Sequence, residues 1–194
     1  MPKLGMEPIR RDALIKATIA AIGEAGNLEV TVSRIARRAG MSSALAHHYF
    51  GSKDAMFLAA MRHVLAVYGA EVRGALAVAD DPQARVRALI RASFTPTSFR
   101  REVIAAWLNF DVLAQTRADA ARLLAVYQRR LGSNLTHALR PLAGSRARDL
   151  AEGVAAMVDG VYLREALGAG EPDGRAAARM VESWLAAKLD GPGA

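Results

Sequence analysis

Residues 31–53 read TVSRIARRAGMSSALAHHYFGSK, and the fold turns on how that stretch is punctuated. Thr31 stands where a side-chain oxygen can cap a short helix running to Ala39. Gly40 ends that helix, Ser42 can cap a second from Ser43 to about Phe50, and Gly51 with Ser52 restarts the chain. Two short helices joined by three or four residues must cross closely, so a small side chain is wanted at the crossing and a glycine where the backbone turns with positive φ. Ala36 and Gly40 fill those places. Ile35, Met41 and Leu45 or Ala46 then form a small core, and the second helix presents Ser43, Ala44, His47 and His48 outward, as a groove-reading helix does. Any helical hairpin can satisfy this spacing. Three features set this one apart: Arg34, Arg37 and Arg38 on the first short helix, the small polar face of the second, and Lys53 at the start of the next. Cations and helix N-termini beside a presented helix suit phosphate contacts.

Outward from this stretch the chain continues as helices separated by short breakers, with no alternating strand pattern and no repeat. Upstream, a helix is expected from about Glu7 to Ala25, striped by Ile15, Ile19 and Ile22 and closed by Gly26. Downstream, Met61, Val64, Leu65, Tyr68, Val72 and Leu76 keep one face buried over several turns of a long connecting helix. Asp81 and Pro82 make a cap followed by an N1 proline, and TPTS at 95–98 breaks the chain before a helix carrying Trp107. Leu124, Tyr127, Leu131 and Leu135 form a stripe that PLAGS at 141–145 breaks; Leu150, Val154, Met157, Val158 and Val161 form another. After the loop GAGEPDG at 168–174, Ala177, Val181, Trp184 and Leu185 line a last helix that frays into DGPGA. The expectation is an all-α chain: a three-helix helix-turn-helix head over 1–52, and a body over 53–194 that includes the long connecting helix.

Charge and composition narrow the function classes. The formal charge is +7, which favours an anionic partner. Residues 1–63 hold nine Lys or Arg against five Asp or Glu, so the first third is the more basic by density. With no cysteine there is neither a disulfide framework nor thiol chemistry. The opening MPKLGMEPIRR has charge without an apolar segment behind it, and no uninterrupted apolar stretch approaches the roughly 20 residues of a membrane span. A cytoplasmic protein without a membrane partner is expected. There is no P-loop, no GxGxxG after a strand, no HExxH and no nucleophile elbow, and His47, His48, His63 and His137 form no evident triad. An enzyme is therefore not expected. Nor is a metal: His47 and His48, as helix neighbours, point about 100° apart with no third ligand suitably spaced.

The pattern T-x-x-x-I-A-x-x-A-G-x-S, the aromatic-rich HYF and the SK before a long helix resemble the TetR family of one-component repressors. Within that family the chain is similar to the BetI-type branch, choline-responsive repressors of glycine-betaine synthesis genes. The pieces that carry this are MPKLGM with IRR, IARRAGMS, HHYF, AWL at 106–108, RRLGSNL at 129–135 and DGVYLREAL at 159–167. The resemblance implies a DNA-binding head, a connecting fourth helix and a C-terminal body of five or so helices that holds a small effector and pairs two chains through a four-helix interface. It implies a double-stranded DNA operator as partner, with no cofactor. Thr31, Arg34, His48, Tyr49 and Lys53 then fall to phosphate, Ser33, Ser43, Ala44 and His47 to the bases, and Arg10 and Arg11 to the backbone or minor groove, with Ser42 also among the DNA-binding residues. Many members carry tyrosine where this chain has His47, so a phenol contact does not carry over. Tyr49 as core packing, and Arg37 and Arg38 as a solvated face, stay open.

For choline as effector, a quaternary ammonium offers no conventional hydrogen bond, so its site needs aromatic faces and carboxylates. Trp107 with Asp111 and Asp159 with Tyr162 each share a helix face; Tyr127 lies on the helix between, and Phe110 and Glu165 are additions. Core packing or a dimer interface explains such aromatics equally well. Asp159 interrupts an apolar stripe, where a buried carboxylate requires a cationic or hydrogen-bonding partner: a ligand, Arg164 or Arg130. The helices at 146–167 and 174–189 are alanine-rich with apolar stripes, consistent with homodimer packing or with burial inside one chain. A repressor of efflux or another pathway, with a different ligand, shares every one of these features.

Overall fold

The computed structural model describes residues 5–191; the MPKL opening and the last three residues of the DGPGA end lie outside the described residues. The expected caps are in place. Thr31 Oγ1 accepts from Arg34 N at 3.2 Å, Ser42 Oγ from Leu45 N at 3.2 Å, Ser52 Oγ from Ala55 N at 3.1 Å and Asp81 Oδ1 from Ala84 N at 2.7 Å. Each satisfies a backbone donor that the first helical turn leaves without a partner. The resulting α-helices are α1 (Met6–Ala25), α2 (Val32–Arg38), α3 (Ser43–Phe50), α4 (Lys53–Ala77), α5 (Pro82–Ala92), α6 (Arg101–Ala114), α7 (Ala118–Ala143), α8 (Ala147–Ala166) and α9 (Gly174–Asp190), with a 3-10 turn at Gly144–Arg146. No strand occurs among the described residues. The architecture is the expected all-α one, with five helices after α4.

The chain forms two compact units. The head unit comprises the residues up to Ala66 together with Arg100–Leu123, so it takes in α6 as well as the three short helices. Its division does not follow residue 52, because α6 packs along α1. Gly23 permits that approach: a Cβ there would meet Cβ and Cα of Glu102. Asn109 Nδ2 adds a hydrogen bond to the carbonyl of Gly26, at 3.2 Å. Leu14, Ile22, Ile35, Met56, Met61 and Phe110 are fully buried at its centre. The body unit comprises Val67–Phe99 and the residues from Leu124 onward. Its core joins Leu89, Ile90, Leu135, Leu139, Val154 and Val181. Gly153 lets α9 close on α8, since a Cβ there would lie 2.6 Å from the Trp184 ring. Arg91 grips Glu182 through two hydrogen bonds of 2.7 and 3.2 Å, fastening α5 to α9.

α4 has the length and composition of a membrane span, although Asp54, Arg62 and His63 interrupt its apolar run as the sequence reading requires. Met56, Phe57, Leu58, Ala60, Met61 and Val64 of α4 are buried in the head unit, so its apolar character serves the core. The break expected at 141–145 is present: Pro141 sits in the last turn of α7, where the ring removes one intrahelical hydrogen bond, and the helix stops before Gly144, whose φ is 56°.

Candidate nucleic-acid interface and ligand-binding residues

The helix pair α2–α3 is built on three small contacts. Ala36 and Ile35 are each 1% exposed and Ala46 is 0% exposed, so the two helices cross over an alanine-sized core, with Met41 and Leu45 partly buried beside it. The turn closes as a paired C-cap: Gly40 N donates to Arg37 O at 3.1 Å and Met41 N to Ala36 O at 2.9 Å. Gly40 adopts φ 68°, a left-handed conformation that side-chain-bearing residues rarely hold. Ala44, His47 and His48 stand exposed on α3, and Ser43 is partly buried at its first turn. Ser43 Oγ donates to Ser33 Oγ at 2.9 Å, tying the two predicted base-facing serines to each other across the helices. His47 Nδ1 lies 3.0 Å from the carbonyl of Gly51. A carbonyl only accepts, so Nδ1 carries a proton, and Nε2 is left for a partner outside the helix pair.

The expected phosphate contacts are arranged less simply. Lys53 is exposed and its Nζ donates to Leu28 O at 3.0 Å, bridging the start of α4 to the loop before α2. Arg34 pairs with Glu24 at 3.2 Å and Arg38 pairs with the same carboxylate, so Arg38 is an ion-pair partner and not a plain solvated face. Those two hydrogen bonds, Arg38 first, hold the Glu24 carboxyl below its ordinary range. Tyr49 is partly buried; Arg10 Nη1 donates to its hydroxyl at 3.5 Å and the Arg11 guanidinium lies 5.5 Å from its ring centroid and 5.3 Å from that of Phe50. The phenol is thus a packing partner for α1. Arg11 also meets Glu7 at 2.8 Å. Thr31 and Ser42 spend their oxygens on capping.

The seven residues expected to meet a ligand fall into the two units. In the head unit, α6 carries Trp107, Phe110 and Asp111; the Trp107 and Phe110 rings meet edge-on at 5.9 Å, and Phe110, 0% exposed, also packs on Phe57. Asp111 retains exposure, yet partial burial pushes its carboxyl above the ordinary value. In the body unit Tyr127 meets Tyr68 edge-on at 5.7 Å, and Tyr162 stacks on Phe99 at 5.1 Å, which stacks in turn on Phe94. Tyr162 donates to Ser98 O at 2.8 Å, and Glu165 accepts from Asp173 N at 3.1 Å, holding the loop before α9.

Asp159 is exposed, which corrects the expectation of a buried carboxylate in an apolar stripe. Successive helix residues turn about 100°, so Asp159 points well away from Val154, Val158 and Val161. Its charge still reaches Tyr68. Burial pushes the pKa of that phenol above its ordinary value, a hydrogen bond with Ser93 opposes the rise, and the charges of Asp159 and Glu71 add to it. Sequence reasoning placed Tyr68 only in the buried stripe of α4 and did not single out Glu71 or Phe99; no spacing signal ties them to Tyr127 and Asp159, because they meet through tertiary packing. Glu24 was missed for the same reason. No cluster of three or more potential metal ligands occurs among the described residues.

Comparison with known proteins places this geometry. Residues 14–60 match the family model described as bacterial regulatory proteins of the tetR family, and residues 82–190 match that of the BetI-type transcriptional repressor, C-terminal part. The HTH-type transcriptional regulator BetI of Brucella melitensis is 51% identical over 192 residues, covering 98% of this chain and 97% of its own length. The protein of the same name from Rhizobium meliloti is 46% identical, covering 97% and 94%. Among solved structures, a transcriptional regulator of Pseudomonas aeruginosa superposes with a TM-score of 0.84 at 25% identity, covering 97% of this chain and 94% of that one. One from Saccharomonospora viridis, crystallised in complex with choline, superposes with a TM-score of 0.81 at 19% identity, covering 91% and 95%; at that identity the likeness is one of fold.

Proposed function

The chain belongs to the TetR family and carries a BetI-type repressor C-terminal region, and from that premise we propose that it binds a palindromic operator as a homodimer and answers to choline, controlling genes of choline-to-glycine-betaine conversion in the cytoplasm. It is a transcriptional regulator and not an enzyme. One observation carries the DNA reading: Ala44, His47 and His48 of α3 are exposed over the buried Ile35, Ala36 and Ala46. A helix held in this way offers its polar side to a major groove, where Nε2 of His47 meets a base edge. Lys53, the N-terminal turns of α2 and α3 and the arginines of α1 are suited to phosphate, which sets register and affinity.

The choline assignment draws on the relatives' name and on the body unit. Tyr68 and Tyr127 turn ring against ring, and the negative charges of Asp159 and Glu71 act on Tyr68. A quaternary ammonium, which has no N–H to donate, gains from such a field and from ring faces, by about 0.5–2 kcal/mol per aromatic contact. Tyr162 and Glu165 supply further aromatic and acidic surface on α8; Trp107, Phe110 and Asp111 on α6 form a second set of assigned contacts. Homodimerisation is assigned to α8 and α9, where Leu163, Met180 and, just past the end of α8, Leu167 are large apolar side chains left exposed. Choline releases DNA only by favouring a conformation that fits the two half-sites less well.

The test is an anisotropy titration of labelled DNA from the gene's own promoter region, at fixed salt, with and without choline. Choline is expected to weaken binding by about 5–150-fold, the usual range of such couplings, and Asp159→Asn and Trp107→Ala are expected to blunt the response. Unchanged affinity and no heat on calorimetric titration with choline would reject this effector and leave the repressor standing.

A further inference from the structure

The three arginines of α2 are not equivalent, and two hydrogen bonds define its flanks. Ser33 receives a hydrogen bond from Ser43 at 2.9 Å, so the Ser33 flank adjoins α3. Arg34 and Arg38 both reach Glu24 near the C-terminal end of α1, so their shared flank adjoins α1. Residues four apart lie on one side of a helix, which places Arg37 on the Ser33 flank. Arg37 is exposed and forms no ion pair among the described residues, whereas the charge of Arg34 and Arg38 is shared with one carboxylate.

Resting on the reading of α3 as a groove-reading helix, we propose that Arg37 is the arginine of α2 that contacts a DNA phosphate, and that Glu24 keeps Arg34 and Arg38 off the duplex as braces between α1 and α2. The assignment departs from the pattern-based one, which gave the phosphate to Arg34. Its physical content is a cost. A guanidinium that must leave a carboxylate before meeting phosphate exchanges one charge-assisted hydrogen bond for another, while an unpaired guanidinium on the flank nearest α3 loses only water and counterions.

The experiment measures operator affinity of the full chain against salt concentration for wild type, Arg34→Ala, Arg37→Ala, Arg38→Ala and Arg37→Lys, with a thermal melt of each to establish that it is folded. Each phosphate contact contributes about 0.9 to the slope of log K against log salt. Arg37→Ala is expected to reduce the slope by about 1 and to weaken operator and unrelated DNA about equally. Arg37→Lys is expected to restore most of the slope, which loss of a merely structural side chain would not permit. Arg34→Ala and Arg38→Ala are expected to leave the slope alone while lowering the melting temperature. A slope reduced by Arg34→Ala or Arg38→Ala, or untouched by Arg37→Ala, overturns the assignment with the DNA-binding function intact. A folded wild type that binds no promoter fragment at low salt overturns the function and this inference together.

Discussion

In the head unit the working side chains stand on the outside of α3, over a core as small as Ile35, Ala36 and Ala46, whereas in the body unit the polar groups of interest lie among rings: Tyr68 against Tyr127, Tyr162 against Phe99. The head needs a rigid support and a free polar face, and its interior is filled by side chains of low functional content. In the body, the residues proposed to meet the effector are also packing groups. The head's exposed polar residues are braced by hydrogen bonds such as Ser43 to Ser33 and His47 to Gly51, while those of the body add ring stacking to theirs, as Tyr162 does on Phe99 beside its hydrogen bond to Ser98.

The largest expected effect separates packing from recognition on α6. Phe110→Ala removes a fully buried ring from the head unit and is expected to cost about 3–5 kcal/mol in denaturant unfolding; a loss below about 1 kcal/mol would mean the ring faces a cavity and belongs with the ligand contacts. Next, His47→Ala is expected to relax base preference at one operator position by about 1–3 kcal/mol, read by binding to single-substituted operators. An equal loss on every sequence would move His47 to the phosphate group. Ser42→Ala deletes the cap of α3 and is expected to lower stability by about 1 kcal/mol, with a corresponding fall in the melting temperature.

The smallest effect concerns Asp111. Partial burial raises its folded-state value above the ordinary 3.8, so the folded chain holds that proton more tightly than the unfolded one. The stability this contributes is complete below the unfolded value and is lost as pH rises through the folded one. Asp111→Asn is expected to flatten that part of the stability profile, as followed by thermal melts from acid to neutral pH. An unchanged profile would show Asp111 to be as well solvated in the folded chain as in the unfolded one.

How far these features could be read in advance differs between the units. Thr31, Gly40, Ser42 and Gly51 are local signals: each acts within four residues, so the boundaries of α2 and α3 follow directly from the chain. Which residue within 141–145 ends α7, and whether α4 spends its apolar surface on a core, are settled by tertiary packing and carry no local signal. Asp159 misled through angle, lying among apolar residues in the chain but about 100° round the helix from Val158. Tyr68, Phe99, Glu71 and Glu24 gain their roles from neighbours far away in sequence, and no spacing rule announces them. In the head, the exposed face of α3 was legible; the division of its flanking arginines was not, because it depends on Glu24.

Guanine N7 lies in the major groove, so its methylation by dimethyl sulfate reports directly on the position of α3. Footprinting of the promoter DNA with the full chain is expected to show N7 protection in two short segments about one helical turn apart. Binding that leaves every N7 in the shifted fragment reactive would contradict the placement of α3 in the groove.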